Sequence, residues 1–251
     1  MNNLRFFFIL VFFINCSKTF ETNLPVKFSF DSDFRSVNIY GGSNEDIAHS
    51  IIKTEDGGFA VIGNTKSNDN DLYFKTTDVS DILFLKFNSN LELDYIKTYG
   101  GSDDDRGYDL VQLADQGFIL LGYSKSSDGD ASLNKGQHDN WIIRIDKKGE
   151  IIWEKSFGFS GHDHAYNIIP TLDGGFFFNG FLDVTASNGL GMDDKKNRSS
   201  KKHGVGEFWC HKIDKNGNLK WRKYYGGTNN DRSYDAIQTS NGDFIVIGTS
   251  E

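Results

Sequence analysis

A Tyr/Phe-Gly motif, extended in three copies to Tyr-Gly-Gly-Ser/Thr, recurs at Tyr40, Tyr99, Phe157 and Tyr225, with spacings of 59, 58 and 68 residues. Regular self-similarity on this scale means that one supersecondary unit is stacked on copies of itself, and the length suits one β-propeller blade with its loops. Before the first motif stands only the back half of a unit, 24–39, and after the last only the front half, 235–251. Ends that are out of phase in complementary ways can share one blade and close a ring, which removes the open sheet edge. The expectation is an all-β fold. It is a β-propeller of four-stranded antiparallel blades, four in number, the last closed by pairing of N- and C-terminal strands.

Each unit reads as four short strands. The first follows a recurring aspartate: Asp46, Asp105, Asp163 and Asp231. A hairpin turn comes next, as in Asp56-Gly57-Gly58, Asp115-Gln116-Gly117, Asp173-Gly174-Gly175 and Asn241-Gly242-Asp243, with residues suited to positive φ. The second strand is an unbroken apolar run, for example Phe118-Ile119-Leu120-Leu121 or Phe244-Ile245-Val246-Ile247. A strand without alternation is buried on both faces, as between neighbouring blades. The third and fourth strands form another hairpin, around Lys147-Lys148-Gly149 and Lys215-Asn216-Gly217. All four tryptophans fall at two equivalent positions, Trp141 with Trp209 and Trp153 with Trp221, and are read as packing between blades. At the N-terminus, Val26-Lys27-Phe28 aligns with Leu85-Lys86-Phe87, and Ser36 to Ile39 with Tyr95 to Thr98. These are the strands expected to complete the last blade.

The first residues carry a different signal. Arg5 precedes an apolar run from Phe6 to Ile14, too short to span a bilayer and suited to the apolar region of an export signal. The run ends at Asn15-Cys16-Ser17. Cys16 in this place resembles the lipobox of bacterial lipoproteins, although Phe13 and Asn15 stand where that family has an aliphatic and a small residue. The resemblance implies a leader at 1–15, lipidation of Cys16 and a short tether at 16–23, ahead of the propeller domain that the repeats predict over 24–251. Ser17 implies delivery to the outer membrane of a bacterial envelope, on its periplasmic or surface face. A plain secretory leader and an interfacial anchor are the other readings of the same run. Cys210 is the one remaining thiol, so an intramolecular disulfide within the domain is excluded once Cys16 is acylated. The net charge of −8 argues against nucleic acid or an anionic membrane face as a partner.

The unit D-x-A-x-S-I-x-x-T-x-D-G-G-F-x-V-x-G followed by W-x-x-K-x-D-x-x-G-x-x-x-W-x-K-x-Y-G-G resembles the propeller-type repeats of exported bacterial proteins, many of them lipoproteins or surface proteins. The resemblance covers 24–251 and implies a fold far more specifically than a function, because propellers host lectins, hydrolases and scaffolds alike. Family arrays are often longer than this one, so the competing architectures are two chains completing a larger ring and a fragment of a longer repeat array.

Candidate sites follow from the repeats and from where they break. Asp46, Asp105, Asp163 and Asp231 precede what should be the innermost strand, and a ring of hard oxygens there would hold Ca²⁺ as its metal. The simpler reading, preferred because the position recurs in every blade, is that each carboxylate caps a turn by accepting backbone N–H bonds. Asn68-Asp69-Asn70-Asp71 and Asp128-Gly129-Asp130, with Asp81 and Asp139 beyond them, have a calcium-loop flavour without EF-hand spacing and are read as solvated turns. The longer third loop carries Lys195, Lys196, Arg198, Lys201, Lys202 and His203, and is read as a solvated charge run. His49 replaces the tyrosine of Tyr108, Tyr166 and Tyr234, and His162 and His164 flank Asp163, a cluster that could bind metal but is read as a turn exposed to solvent. No G-x-S-x-G, H-E-x-x-H or phosphate-loop motif occurs, and no spacing singles out a carboxylate pair for glycoside hydrolysis. The expected function is therefore a non-catalytic binding or scaffolding module for a protein or glycan, with a lectin-like or carbohydrate-active propeller as the alternative.

Overall fold

The structure, a computed structural model, describes residues 38–194 and 203–251. The described chain is all-β apart from one turn of 3-10 helix at Asn70–Leu72. Strands β1 (Asp46–Lys53), β2 (Phe59–Thr65), β3 (Asp81–Phe87) and β4 (Leu93–Tyr99) make the first sheet. The second contains β5 (Asp105–Gln112), β6 (Phe118–Ser124), β7 (Asp139–Ile145) and β8 (Ile151–Phe157). The third contains β9 (His164–Pro170), β10 (Phe176–Asp183), β11 (Gly206–Ile213) and β12 (Leu219–Tyr225), and β13 (Asp231–Gln238) pairs with β14 (Phe244–Ser250) alone. Every pairing within these sheets is antiparallel between sequential strands. Among the described residues no helix is long and apolar enough to cross a membrane.

The turns form as their residues dictate. Between β1 and β2, Gly57 donates its N–H to the Thr54 carbonyl at 3.0 Å and Thr54 donates to Gly58 at 2.9 Å. Gly57 has φ of 84°, and its equivalents Gln116, Gly174 and Gly242 also lie at positive φ. A residue in the left-handed region at this point closes a short hairpin without splaying the strands. Each first strand then carries one bulged residue: His49, Tyr108, Tyr166 or Tyr234. A bulge re-aims its side chain and bends the strand. The bent backbone also crowds the facing strand, where a β-carbon at Gly122 would overlap the Arg106 carbonyl oxygen, which explains the glycine that closes the apolar run.

Sheets stack face to face in sequence. β5 packs on β1, β2 and β3; β9 packs on β5, β6 and β7; β13 packs on β9, β10 and β11. Alternate residues of one strand therefore enter two cores. Phe118 and Leu120 of β6 join Ile62, Phe84, Trp141 and Ile143 between the first and second sheets. Ile119 and Leu121 join Ile142, Ile168 and Phe178 between the second and third. Burial of both faces of the second strand is thus observed in β2, β6 and β10.

β14 departs from that expectation. Phe244 and Val246 pack on Phe177, Cys210 and Ala236, but Ile245 is 51% and Ile247 60% exposed because no further sheet covers their face. At the other end of the stack Ile51 is 48% exposed. A fourth blade completed by both termini is not what the described residues contain: that sheet has two strands. Asn38 and Ile39, the described end of the segment expected to complete it, are not in a strand. The rest of that segment, 24–37, lies outside the described residues.

Candidate functional site

The four recurring aspartates are buried, each at the start of a first strand or, for Asp163, just before it. Each accepts a backbone N–H from the preceding turn: Gly42 to Asp46, Gly101 to Asp105 and Gly227 to Asp231 at 2.8 Å, and Phe159 to Asp163 at 2.7 Å. Ser67 and Ser126 add hydroxyl bonds to Asp46 and Asp105 at 2.9 and 2.8 Å. The geometry is that of the cap. Among the described residues these carboxylates do not gather into a group of three with mutually close ligand atoms.

Instead, three of the four meet a second acid from the neighbouring sheet. Asp81, Asp139 and Glu207 stand at or near the start of the third strands, and they repel Asp105, Asp163 and Asp231 respectively across the sheet junctions. Burial first, and this repulsion second or later, raises the carboxyl pKa of Asp81 to about 6, of Asp163 to about 8 and of Glu207 to about 7. Burial also raises Asp139 to about 6.

The spaced acids of the two loops are not merely solvated. Asp69 and Asp71 accept from the N–H groups of Ser43 at 2.8 Å and Gly41 at 3.0 Å. Asp128 and Asp130 do the same for Ser102 at 2.8 Å and Gly100 at 3.2 Å. The loop acids thus clamp the Tyr-Gly-Gly-Ser turn, using the backbone donors that the turn leaves unpaired.

The bulged residues of the first strands form a row across the four sheets. Ring centroids are 4.7 Å apart for His49–Tyr108, 5.3 Å for Tyr108–Tyr166 and 5.6 Å for Tyr166–Tyr234. One residue further along, Asp109 accepts from the Ser50 hydroxyl at 3.1 Å, the Asn167 amide at 3.2 Å and the Ile168 N–H at 2.9 Å. It thereby ties three sheets together, a role that no local sequence signal announced.

The flanking histidines His162 and His164 do come together, with a third that sequence reasoning missed. His138, just before β7, bridges to His162 in parallel fashion, and their Nδ1 atoms are 2.6 Å apart, one imidazole donating to the other. The ligand nitrogens of His138, His162 and His164 all lie within 4.8 Å of one another. Tyr123 packs its ring 4.6 Å from His138 and 4.5 Å from His164 and donates its hydroxyl to Asp104 at 3.2 Å. Burial, with repulsion from the neighbouring imidazoles, lowers His138 to about 4 and His164 to about 3, so both are neutral at physiological pH. Of all the residue groups described, this is the one with the donors for a transition metal.

Trp141 and Trp209 are fully buried, as expected for packing between sheets. Cys210 faces the third core, and burial pushes its thiol up to about 12. His211 points the other way and stacks on Phe178 at 4.3 Å, so the pair does not act as adjacent ligands. Cys16 and the basic residues Lys195, Lys196, Arg198, Lys201 and Lys202 lie outside the described residues. No protein-family model and no curated protein matches this chain.

Proposed function

We propose that this protein is a β-propeller lipoprotein of a bacterial envelope, anchored through Cys16 to the outer membrane, and that its propeller is a non-catalytic binding or scaffolding module for a protein or glycan. The observation that carries the reading is the row His49–Tyr108–Tyr166–Tyr234. Equivalent residues on successive first strands face one another, as strands around a common axis do. A groove lined by Phe208, Cys210, Trp221, Tyr225 and Val246 beside β14 supports completion of the fourth blade, since it lies where that blade's third strand would pack. The segment 24–39 is the proposed occupant.

The absence of catalysis in this reading rests on symmetry. The acid pairs recur at three junctions, whereas a glycosidase needs one asymmetric pair. The row of aromatic rings favours glycan among ligands, because sugars stack on such faces, and a lectin-like protein is the second reading.

A glycan array probed with the full chain in calcium buffer tests the choice. Saturable binding to one glycan class supports the lectin-like form, and turnover of that glycan would overturn the non-catalytic reading. A blank array points to a protein partner. Incorporation of labelled fatty acid that disappears in Cys16→Ser tests the anchor.

A further inference from the structure

We propose that His138, His162 and His164 form a three-histidine site for a divalent transition metal of the zinc type, which staples the second sheet to the third. The ligands come from both sides of the junction. His138 leads into β7 of the second sheet, and His162 and His164 lead into β9 of the third. The Asp163 N–H bonded to the His138 carbonyl at 2.8 Å holds the two approaching chains at a fixed offset.

Distances suit one shared ion. Nitrogen ligands at about 2.0–2.1 Å from a tetrahedral metal stand roughly 3.3 Å from each other. The Nδ1 atoms of His138 and His162, hydrogen-bonded to each other at 2.6 Å, reach that spacing by moving apart about 0.7 Å, and the third ring lies within the same small volume. The neighbours complete a supporting shell. Tyr123 covers two of the rings, while the Asp104 carboxylate faces His138 and offsets the nearby charges of Arg106 and Lys125. Three imidazole ligands leave one position for water or an incoming ligand.

The middle junction breaks the symmetry of the repeat. At the first junction the positions equivalent to His138, His162 and His164 hold Ser80, Asp104 and Arg106, the last two ion-paired at 3.1 Å. At the third they hold Gly206, Asn230 and Arg232. Only the middle junction has exchanged its charged and small residues for three imidazoles. Purely structural positions in a repeat array solve the same packing problem in the same way, and this one has a different solution with metal-ligating donors.

The test is titration of the metal-stripped full chain with Zn²⁺ by calorimetry and with Co²⁺ by ligand-field absorption. One equivalent bound, with tetrahedral Co²⁺ bands, is the expected result. His162→Gln and the double variant His138→Ala/His164→Ala should weaken binding at least about 100-fold, as expected for removal of ligands when loss of supporting residues alone costs 10–100-fold. Affinity unchanged in either variant, or no binding by the unsubstituted chain, overturns the proposal. Should a substitution prevent folding, imidazole ¹⁵N shifts of the unsubstituted chain decide. Zn²⁺-dependent shifts at these three histidines support the site, and shifts confined to His49, His203 or His211 overturn it.

Discussion

A β-carbon added to Gly100 would overlap Oδ1 of Asp81 and lie 2.9 Å from Oδ2 of Asp105. The first glycine of the Tyr-Gly-Gly motif is therefore required by two buried carboxylates that crowd it. The same crowding recurs at Gly226, beneath which stand Glu207 and Asp231.

Gly100→Ala should destabilise the fold by about 1–3 kcal/mol, the cost of overpacking a rigid site. Gly227→Ala is the control, since nothing lies within 4 Å of its would-be β-carbon and its φ is not in the left-handed region. Urea midpoints of the two variants check this, and equal losses would refute the crowding argument.

Stability should fall with pH in the window set by the buried acids. Asp81 has its folded pKa raised from 3.8 to about 6 by burial, with Lys75 at 3.3 Å partly offsetting the rise. The folded state therefore holds the proton more tightly than the unfolded chain, so the contribution is full below about pH 4 and is lost as pH rises through 6. Asp81→Asn should flatten the dependence between pH 4 and 6 relative to the unsubstituted chain. Depressed groups have the opposite sign: Asp56, held at about 2 by Lys86, adds stability as pH rises from 2 to 4, below this window. A variant whose stability loss from pH 4 to 6 matches that of the unsubstituted chain would exclude Asp81 as a source.

Leu121 and Ile247 occupy equivalent places in β6 and β14, yet one is fully buried and the other 60% exposed. Leu121→Ala should cost about 2–5 kcal/mol through a cavity in the second core. Ile247→Ala should stay within about 0.5 kcal/mol if its face meets water. A cost at Ile247 approaching that at Leu121 would mean that another surface covers β14 in solution.

Deletion of residues 24–39 tests the proposed closure. Loss of two strands from a shared blade should lower the melting temperature sharply and expose the β14 edge. An unchanged transition would show that the stack does not close through its ends.

Much of the architecture was legible because it is written locally and repeatedly. Positive-φ residues at Gly57, Gln116, Gly174 and Gly242 mark the hairpins, and the apolar runs between them mark strands covered on both faces. The aspartates were legible as caps for the same reason. The loop acids carry no such local signal: Asp69 and Asp128 look like solvated turn residues, but they bond to a turn 26 positions earlier, beyond the reach of local turn rules.

The amino-acid sequence by itself determined the repeat, the four-strand unit, the turn chemistry and the double-sided burial of β2, β6 and β10, because each depends on neighbours along the chain. Tertiary structure alone decided what meets across a sheet junction. His138 lies 24 residues from His162 and has no local signature, yet stacking places the start of a third strand against the start of the next first strand and makes them neighbours. The same stacking sets Asp81 against Asp105 and leaves Ile247 uncovered while burying its counterpart Leu121. Those outcomes depend on which face another sheet occupies, and a two-residue strand period specifies two faces without specifying what covers either.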